Sequence, residues 1–284
     1  MSVLVRLSLF CLLLAVLSSC HPLSVDRSPQ ADPYAGKSVP STRFPWPDGR
    51  RAAVSLTFDD ARPSQVDVGV PILNEYGLRA TFYVSPQRAS ERLDAWKRAV
   101  GAGHEIGNHS MRHPCTGNFP WSRQTALEEY TLALMGQELD QANAEIEKLL
   151  GVRAATFAYP CGQKFVGRGK NARSYVPLIA KRFAAGRGWR DEGVNNPAFC
   201  DPAQLMAMEF DGLTFEQLKT LLDTAVEQGG WLVLAGHEIS AQGRQTTRVD
   251  TLRAFCEYAG DPQNGLWVDT VANVAGYVAE HRSE

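Results

Sequence analysis

Two short segments carry the groups best suited to chemistry: Thr57-Phe58-Asp59-Asp60 and His109-Ser110-Met111-Arg112-His113. Together they offer two adjacent carboxylates and two imidazoles four residues apart. Two imidazoles and one carboxylate make a workable shell for Zn²⁺ or a similar divalent ion, with a position left open for water. The second carboxylate is then free to act as a base on that water. Taken singly, each motif is ordinary. Asp commonly ends strands and caps turns, and an HxxxH pair is often two surface histidines. Their joint chemistry is that of a metal-dependent hydrolase.

Spacing restricts how the groups can meet. Neighbouring strand residues point to opposite faces, so Asp59 and Asp60 share a site only if the strand bends between them, and Pro63 is consistent with a bend. The i, i+4 spacing of His109 and His113 puts both rings on one helical face. Pro114 disfavours helix at His113, which limits that helix to a single turn. His104 is expected to support a strand rather than bind metal. His237 follows the apolar run Trp231-Leu232-Val233-Leu234-Ala235-Gly236 and is a candidate acid for a leaving group.

The elements that must position these groups alternate along the chain. Strands are expected at Ala53–Phe58, Arg79–Val84, His104–Asn108, Ala155–Tyr159, Phe183–Gly186, Leu205–Phe210, Trp231–Ala235 and Leu266–Val268. Helical spacing is expected at Val66–Tyr76, Ser90–Val100, Ala126–Leu150, Phe215–Glu227 and Val249–Tyr258. Strands separated by helices build a mostly parallel α/β sheet, open or closed into a barrel, whose active groups lie at the carboxyl ends of strands. Asp59, Asp60, His109, Pro160 and His237 all fall at such ends.

The chain has 284 residues, 44% of them hydrophobic, and a formal net charge of −2. That length suits one large α/β domain. With no basic excess, nothing points to nucleic acid. Arg6 precedes an apolar run from Leu9 to Leu17, too short and too poorly flanked for a transmembrane helix. Leu17-Ser18-Ser19-Cys20 resembles a bacterial lipobox, so residues 1–19 are expected to be a signal peptide and Cys20 a lipid attachment point. A plain secretory signal is the alternative, and either one exports the domain. Residues 20–50, with six prolines between Pro22 and Pro47, are expected to be a tether, and 51–284 the catalytic domain. In an oxidising compartment Cys115, Cys161, Cys200 and Cys256 have three possible pairings. A Cys115–Cys161 bridge is open to them if both cysteines line one site. Otherwise all four are buried thiols.

Four motifs occur in an order that resembles the polysaccharide deacetylases, the NodB-homology family also called carbohydrate esterase family 4. They are Thr57–Asp60, His109–His113, Phe157-Ala158-Tyr159-Pro160-Cys161-Gly162 and Leu234-Ala235-Gly236-His237, and the resemblance runs over roughly residues 52–275. It implies a distorted (β/α) barrel with fewer than eight repeats. Asp59 is then the general base, Asp60, His109 and His113 hold the metal, and His237 is the general acid. Leu234 is expected near the acetyl pocket, and Tyr159 and Trp189 toward substrate. The third motif departs from the family's Arg-x-Pro-Tyr-Gly: Ala158 stands at the arginine position and Cys161 at the tyrosine. Cys161 keeps the backbone N–H that serves the oxyanion. Arg187, at another strand end, is expected to supply the missing charge.

The implied reaction removes an N-acetyl group from an acetylated envelope glycan, with Trp121, Trp189 or Trp231 available to stack on sugar rings. The alternatives are an O-acetyl xylan esterase, a cyclic amide hydrolase and an inactive, lipid-anchored glycan-binding module.

Overall fold

The computed structural model describes residues 43–282. The expected signal peptide, the expected lipid attachment at Cys20 and the expected tether as far as residue 42 lie outside them. Eight parallel strands form the main sheet: β1 (Ala52–Asp59), β2 (Thr81–Val84), β3 (Glu105–Asn108), β4 (Thr156–Ala158), β5 (Ala185–Arg187), β6 (Met208–Glu209), β7 (Trp231–Gly236) and β8 (Leu266–Val268). Their order is β5-β4-β3-β2-β1-β7-β6. β8 lies beside the first half of β1, at Ala52–Val54, and β2 beside its second half, at Thr57–Asp59. A single parallel bridge from Arg187 to Leu205 joins the two ends of this order, so the sheet curls into a distorted, barely closed barrel. This is the expected fold class.

Helices cover the outside: α1 (Val70–Glu75), α2 (Leu93–Gly101), α3 (Leu132–Leu150), α4 (Val176–Arg182), α5 (Phe215–Gln228), α6 (Val249–Gly260) and α7 (Val271–His281). The α3 helix starts six residues later than its apolar periodicity suggests, because Thr131 is extended and its hydroxyl accepts from the Leu134 N–H. Gly151, left-handed at φ 73°, ends it. The α5 helix opens on a capping box formed by Thr214 and Gln217.

β1 is buried at every position, and its alternation divides the interior in two. Val54, Leu56 and Phe58 face the helices and pack with Phe82, Trp96, Leu222 and Phe255. Burying a side chain such as Phe58 contributes about 1.5–3 kcal/mol. The other face is polar. Ser55 accepts from the Trp231 indole at 3.0 Å, Thr57 donates to the Leu234 carbonyl at 2.8 Å, and Asp59 stands at the top. Each of these three side chains has a partner, which offsets the cost of burying it.

Residues 44–50, expected to lie in the tether, pack onto the domain. Trp46 is buried against Trp267 and Tyr277, and its indole donates to the Gly229 carbonyl at 3.0 Å. The folded domain therefore includes residues 44–50. Among the described residues no helix is long and apolar enough to cross a membrane.

Candidate active site

A cleft of about 780 Å³ opens over the carboxyl ends of the strands. Asp59, Asp60, His109, His113, Cys161, Trp189 and His237 all line it. Asp60 and Ala61 take left-handed backbone, φ 76° and 51°, and this is the bend that turns both carboxylates to one site. Such conformations are costly for non-glycine residues and persist where the surroundings fix them.

The histidine pair is not on a helix. His109 directly follows β3, and His113 closes a loop in which Ser110 (φ 63°) and His113 (φ 51°) are left-handed. Asn108 holds that loop by accepting from the Ser110 N–H at 2.7 Å, and the Ser110 hydroxyl accepts from the His113 N–H at 3.0 Å. The expected helical turn is thus replaced by side-chain hydrogen bonds, and the two rings still meet, with centroids 4.7 Å apart.

Asp60 Oδ1 lies 3.8 Å from His109 Nε2 and 3.6 Å from His113 Nε2. Tetrahedral Zn²⁺ with bonds of ~2.0–2.1 Å would set its ligand atoms roughly 3.4 Å apart, so this donor set fits a divalent ion. The ring orientation fits as well. His109 Nδ1 donates to the Ala158 carbonyl at 2.9 Å, which leaves the Nε2 lone pair facing Asp60. Desolvation and the neighbouring His109 bring His113 down to about 4, so its imidazole is neutral. Burial would raise the Asp60 carboxyl, but the positive charge around it, including the Arg62 guanidinium on its Oδ2, outweighs that and holds the group ionised.

Asp59 is buried, and its Oδ1 forms an ion pair with Arg187 Nη2. Its Oδ2 lies 3.9 Å from His109 Nε2. Burial alone would push the Asp59 carboxyl up; the Arg187 guanidinium and His109 overcome that and lower it. Arg187 is itself fully buried. It donates to the Thr57 hydroxyl at 3.2 Å and the Gly188 carbonyl at 3.0 Å, and lies over the Tyr83 ring at 4.7 Å. Glycine at 107 makes room for that ring, since a Cβ there would collide with Tyr83. In the β4–β5 register Arg187 sits directly beside Ala158. The arginine absent from the third motif is thus matched by one on the adjacent strand.

In the same cleft as Asp59, His237 Nδ1 donates to Asp211 Oδ2 at 2.7 Å. Asp211 also accepts from the His237 N–H at 3.1 Å and the Thr247 hydroxyl at 3.0 Å. Burial pulls His237 down, but the Asp211 hydrogen bond and the Asp59 charge more than compensate, and its pKa is raised. Gly236 permits the arrangement, because a Cβ there would strike Thr247.

The other expected site residues divide between core and cleft. Leu234 is fully buried on the helix-facing side of β7 with Leu56 and Phe58, while Ala235 takes the inner face. Tyr159 is fully buried, packs on Phe157 and Tyr175, and donates to the Ala203 carbonyl at 2.8 Å. Neither lines the cleft. The strand alternation that aims Asp59 inward sends Leu234 outward. Trp189 is a cleft wall, edge-on to His237 at 5.3 Å with Arg190 over its ring at 4.4 Å, so that face is already covered. Trp231 is core. Trp121 is 63% exposed, stacked on Phe119 at 5.4 Å, and 5.9 Å from the His113 ring. Cys161, left-handed at φ 55°, is disulfide-bonded to Cys115, and Cys200 and Cys256 are free.

Two further site residues went unread in the sequence. Asp211 immediately follows the expected strand Leu205–Phe210, so the strand-end rule that selects Asp59 would have selected it too. Arg62 donates to Asp60 Oδ2 at 3.0 Å and to Glu238 Oε1 at 3.1 Å, tying the first motif to the residue after His237. Nothing in its local sequence signals that contact.

Comparison with known proteins agrees with this geometry. The polysaccharide deacetylase family model matches residues 47–175. The peptidoglycan-N-acetylmuramic acid deacetylase PdaA of Bacillus subtilis is 28% identical over 147 residues, 48% of this chain and 49% of that one. The peptidoglycan-N-acetylglucosamine deacetylase PgdA of Listeria monocytogenes is 33% identical over 86 residues, 30% of this chain and 17% of that one. The aligned segments therefore span less than half the length of these relatives. A Mycobacterium smegmatis crystal structure solved under the same family name shares the fold, with a TM-score of 0.61 at 19% identity, covering 86% of this chain and 96% of that one. With the four motifs gathered at one end of this barrel and the family model matched from the first strand through the third motif, the chain is similar to the polysaccharide deacetylase family over residues 47–175.

Proposed function

We propose that the protein hydrolyses N-acetyl groups from an acetylated glycan. The observation that carries this reading is that Asp59, ion-paired with Arg187, and His237, hydrogen-bonded to Asp211, line one cleft. Asp60, His109 and His113 would hold a divalent ion, most simply Zn²⁺, which when bound polarises the acyl carbonyl and acidifies water. Asp59 Oδ2 accepts a proton from the attacking water as its oxygen bonds to the acyl carbon. The Cys161 N–H donates to the developing oxyanion. His237 then protonates the nitrogen as the carbon–nitrogen bond breaks, releasing acetate and a free amine. An amine leaves poorly without that proton, so an acid opposite the base is what amide hydrolysis requires.

Trp121 and Phe119 at the rim offer an aromatic face for a sugar ring. The N-terminal sequence supports export with lipid on Cys20, which would place the cleft in the cell envelope. The test is mass spectrometry of products from acetylated chito-oligosaccharides, peptidoglycan fragments and acetylated xylan. Acetate loss from the first two supports the reading. Loss from xylan alone makes the protein an O-acetyl esterase, and binding without turnover makes it a glycan-binding module.

A further inference from the structure

The Cys115–Cys161 disulfide lies against the candidate metal set. Cys115 Sγ is 3.7 Å from His113 Nδ1, on the side of the ring opposite the Nε2 that faces Asp60. One ligand atom each from His113, Cys115 and Cys161 lie within 4.8 Å of one another, as do those of Asp60, His109 and His113. One imidazole therefore serves two donor clusters through its two nitrogens. While the sulfurs are bonded to each other they carry no charge and ligate poorly. As thiolates they are strong, soft ligands for Zn²⁺ and its neighbours.

We propose that reduction of Cys115–Cys161 creates a second metal site, His113 Nδ1 with two thiolates, that takes the ion away from the Asp60–His109–His113 set. The proposal rests on reading that set as the metal site. Cys161 lines the cleft whereas Cys115 is fully buried, so a dithiol reductant enters at Cys161. Its first thiolate bonds to Cys161 Sγ and the S–S bond breaks, leaving Cys115 as the thiolate. The second thiol of the reductant then displaces Cys161 and leaves as its own disulfide. Two electrons pass to the protein, and the cysteine protons are released when an ion binds. A neutral imidazole has one lone pair, on one nitrogen at a time. An ion on Nδ1 therefore puts the proton on Nε2 and withdraws His113 from Asp60. The two sites compete.

Cobalt(II) reads this directly, because thiolate ligation adds a charge-transfer band in the near ultraviolet that imidazole and carboxylate do not give. The oxidised protein should bind one Co²⁺ without the band. Cys200 and Cys256 are already free there, so they belong to that baseline. The dithiol-treated protein should still bind one Co²⁺, now with the band. Cys115→Ser/Cys161→Ser should bind one Co²⁺ with no band, with or without reductant. Should that variant not fold, reduced wild type alkylated with iodoacetamide should show the same loss of the band. No band on reduction overturns the new site and leaves the proposed function standing. Two Co²⁺ per reduced chain overturns the competition. An oxidised protein that binds no Co²⁺ overturns this proposal and the metal reading of the proposed function together.

Discussion

At the scale of single residues, Asp59 and Asp60 are neighbours with different surroundings. Asp59 is tied to Arg187 on one oxygen, and Asp60 faces two imidazoles on one oxygen and Arg62 on the other. Asp59→Asn should therefore lower turnover by roughly 10²–10⁴-fold while metal content stays near wild type, and Asp60→Ala should lose both. Metal analysis of the purified variants checks this, and the roles are reversed if Asp59→Asn is the one that strips the ion. Arg187→Ala removes a cation that lowers the Asp59 carboxyl, so that pKa rises and the acid limb of the pH–rate profile moves to higher pH. The same change leaves a buried carboxylate unpaired, which costs about 3–5 kcal/mol, so urea unfolding should show a large loss as well. Restoring arginine at Ala158, the register partner, should recover part of both effects. Asp211→Asn acts on the other limb. It removes the bond that raises His237, so the acid loses its proton at lower pH and the basic limb moves down. A basic limb that stays in place would mean another group donates the proton.

At the scale of elements, the ends of seven strands, β1 to β7, and the loops that follow them build the cleft, and the loops carry the strain. The loop after β3 holds His113 left-handed through Ser110 and Asn108, and it runs on through Cys115 toward the segment bearing Phe119 and Trp121. Trp121 is the one tryptophan of the expected three that is exposed beside His113, a proposed metal ligand. Trp121→Ala should raise KM for oligomeric substrates several-fold with kcat little changed, since stacking on a sugar ring is worth about 1 kcal/mol when it is not specific to the transition state. Steady-state kinetics on chito-oligosaccharides of increasing length would show it, and an unchanged KM would move the sugar contact away from this loop.

For the molecule as a whole, the proposed anchor and the catalytic domain should be independent. Trp46 and Phe44 fasten the chain to the domain beside Tyr277, on the last helix, rather than at the cleft. Cys20→Ser should abolish membrane partitioning of the processed protein and leave the kinetics of the purified domain unchanged. Fractionation combined with mapping of the mature N-terminus checks it, and a cleaved, unlipidated wild-type terminus would rule out the anchor.

Sequence by itself determined the alternation of strands and helices, the parallel sheet and the roster of Asp59, Asp60, His109, His113 and His237. These follow from local periodicity and from the rule that chemistry gathers at strand ends. It also pointed to Arg187 as the candidate for the displaced arginine, because Arg187 ends a strand as Ala158 does. Only tertiary structure could decide which face each strand turns inward, and that is why Leu234 and Tyr159 are core rather than cleft. The same dependence on distant partners separated buried Trp231 from exposed Trp121, settled the Cys115–Cys161 pairing, and brought Asp211 and Arg62 into the site. Each of these depends on contacts between segments far apart in the chain, which no local pattern encodes.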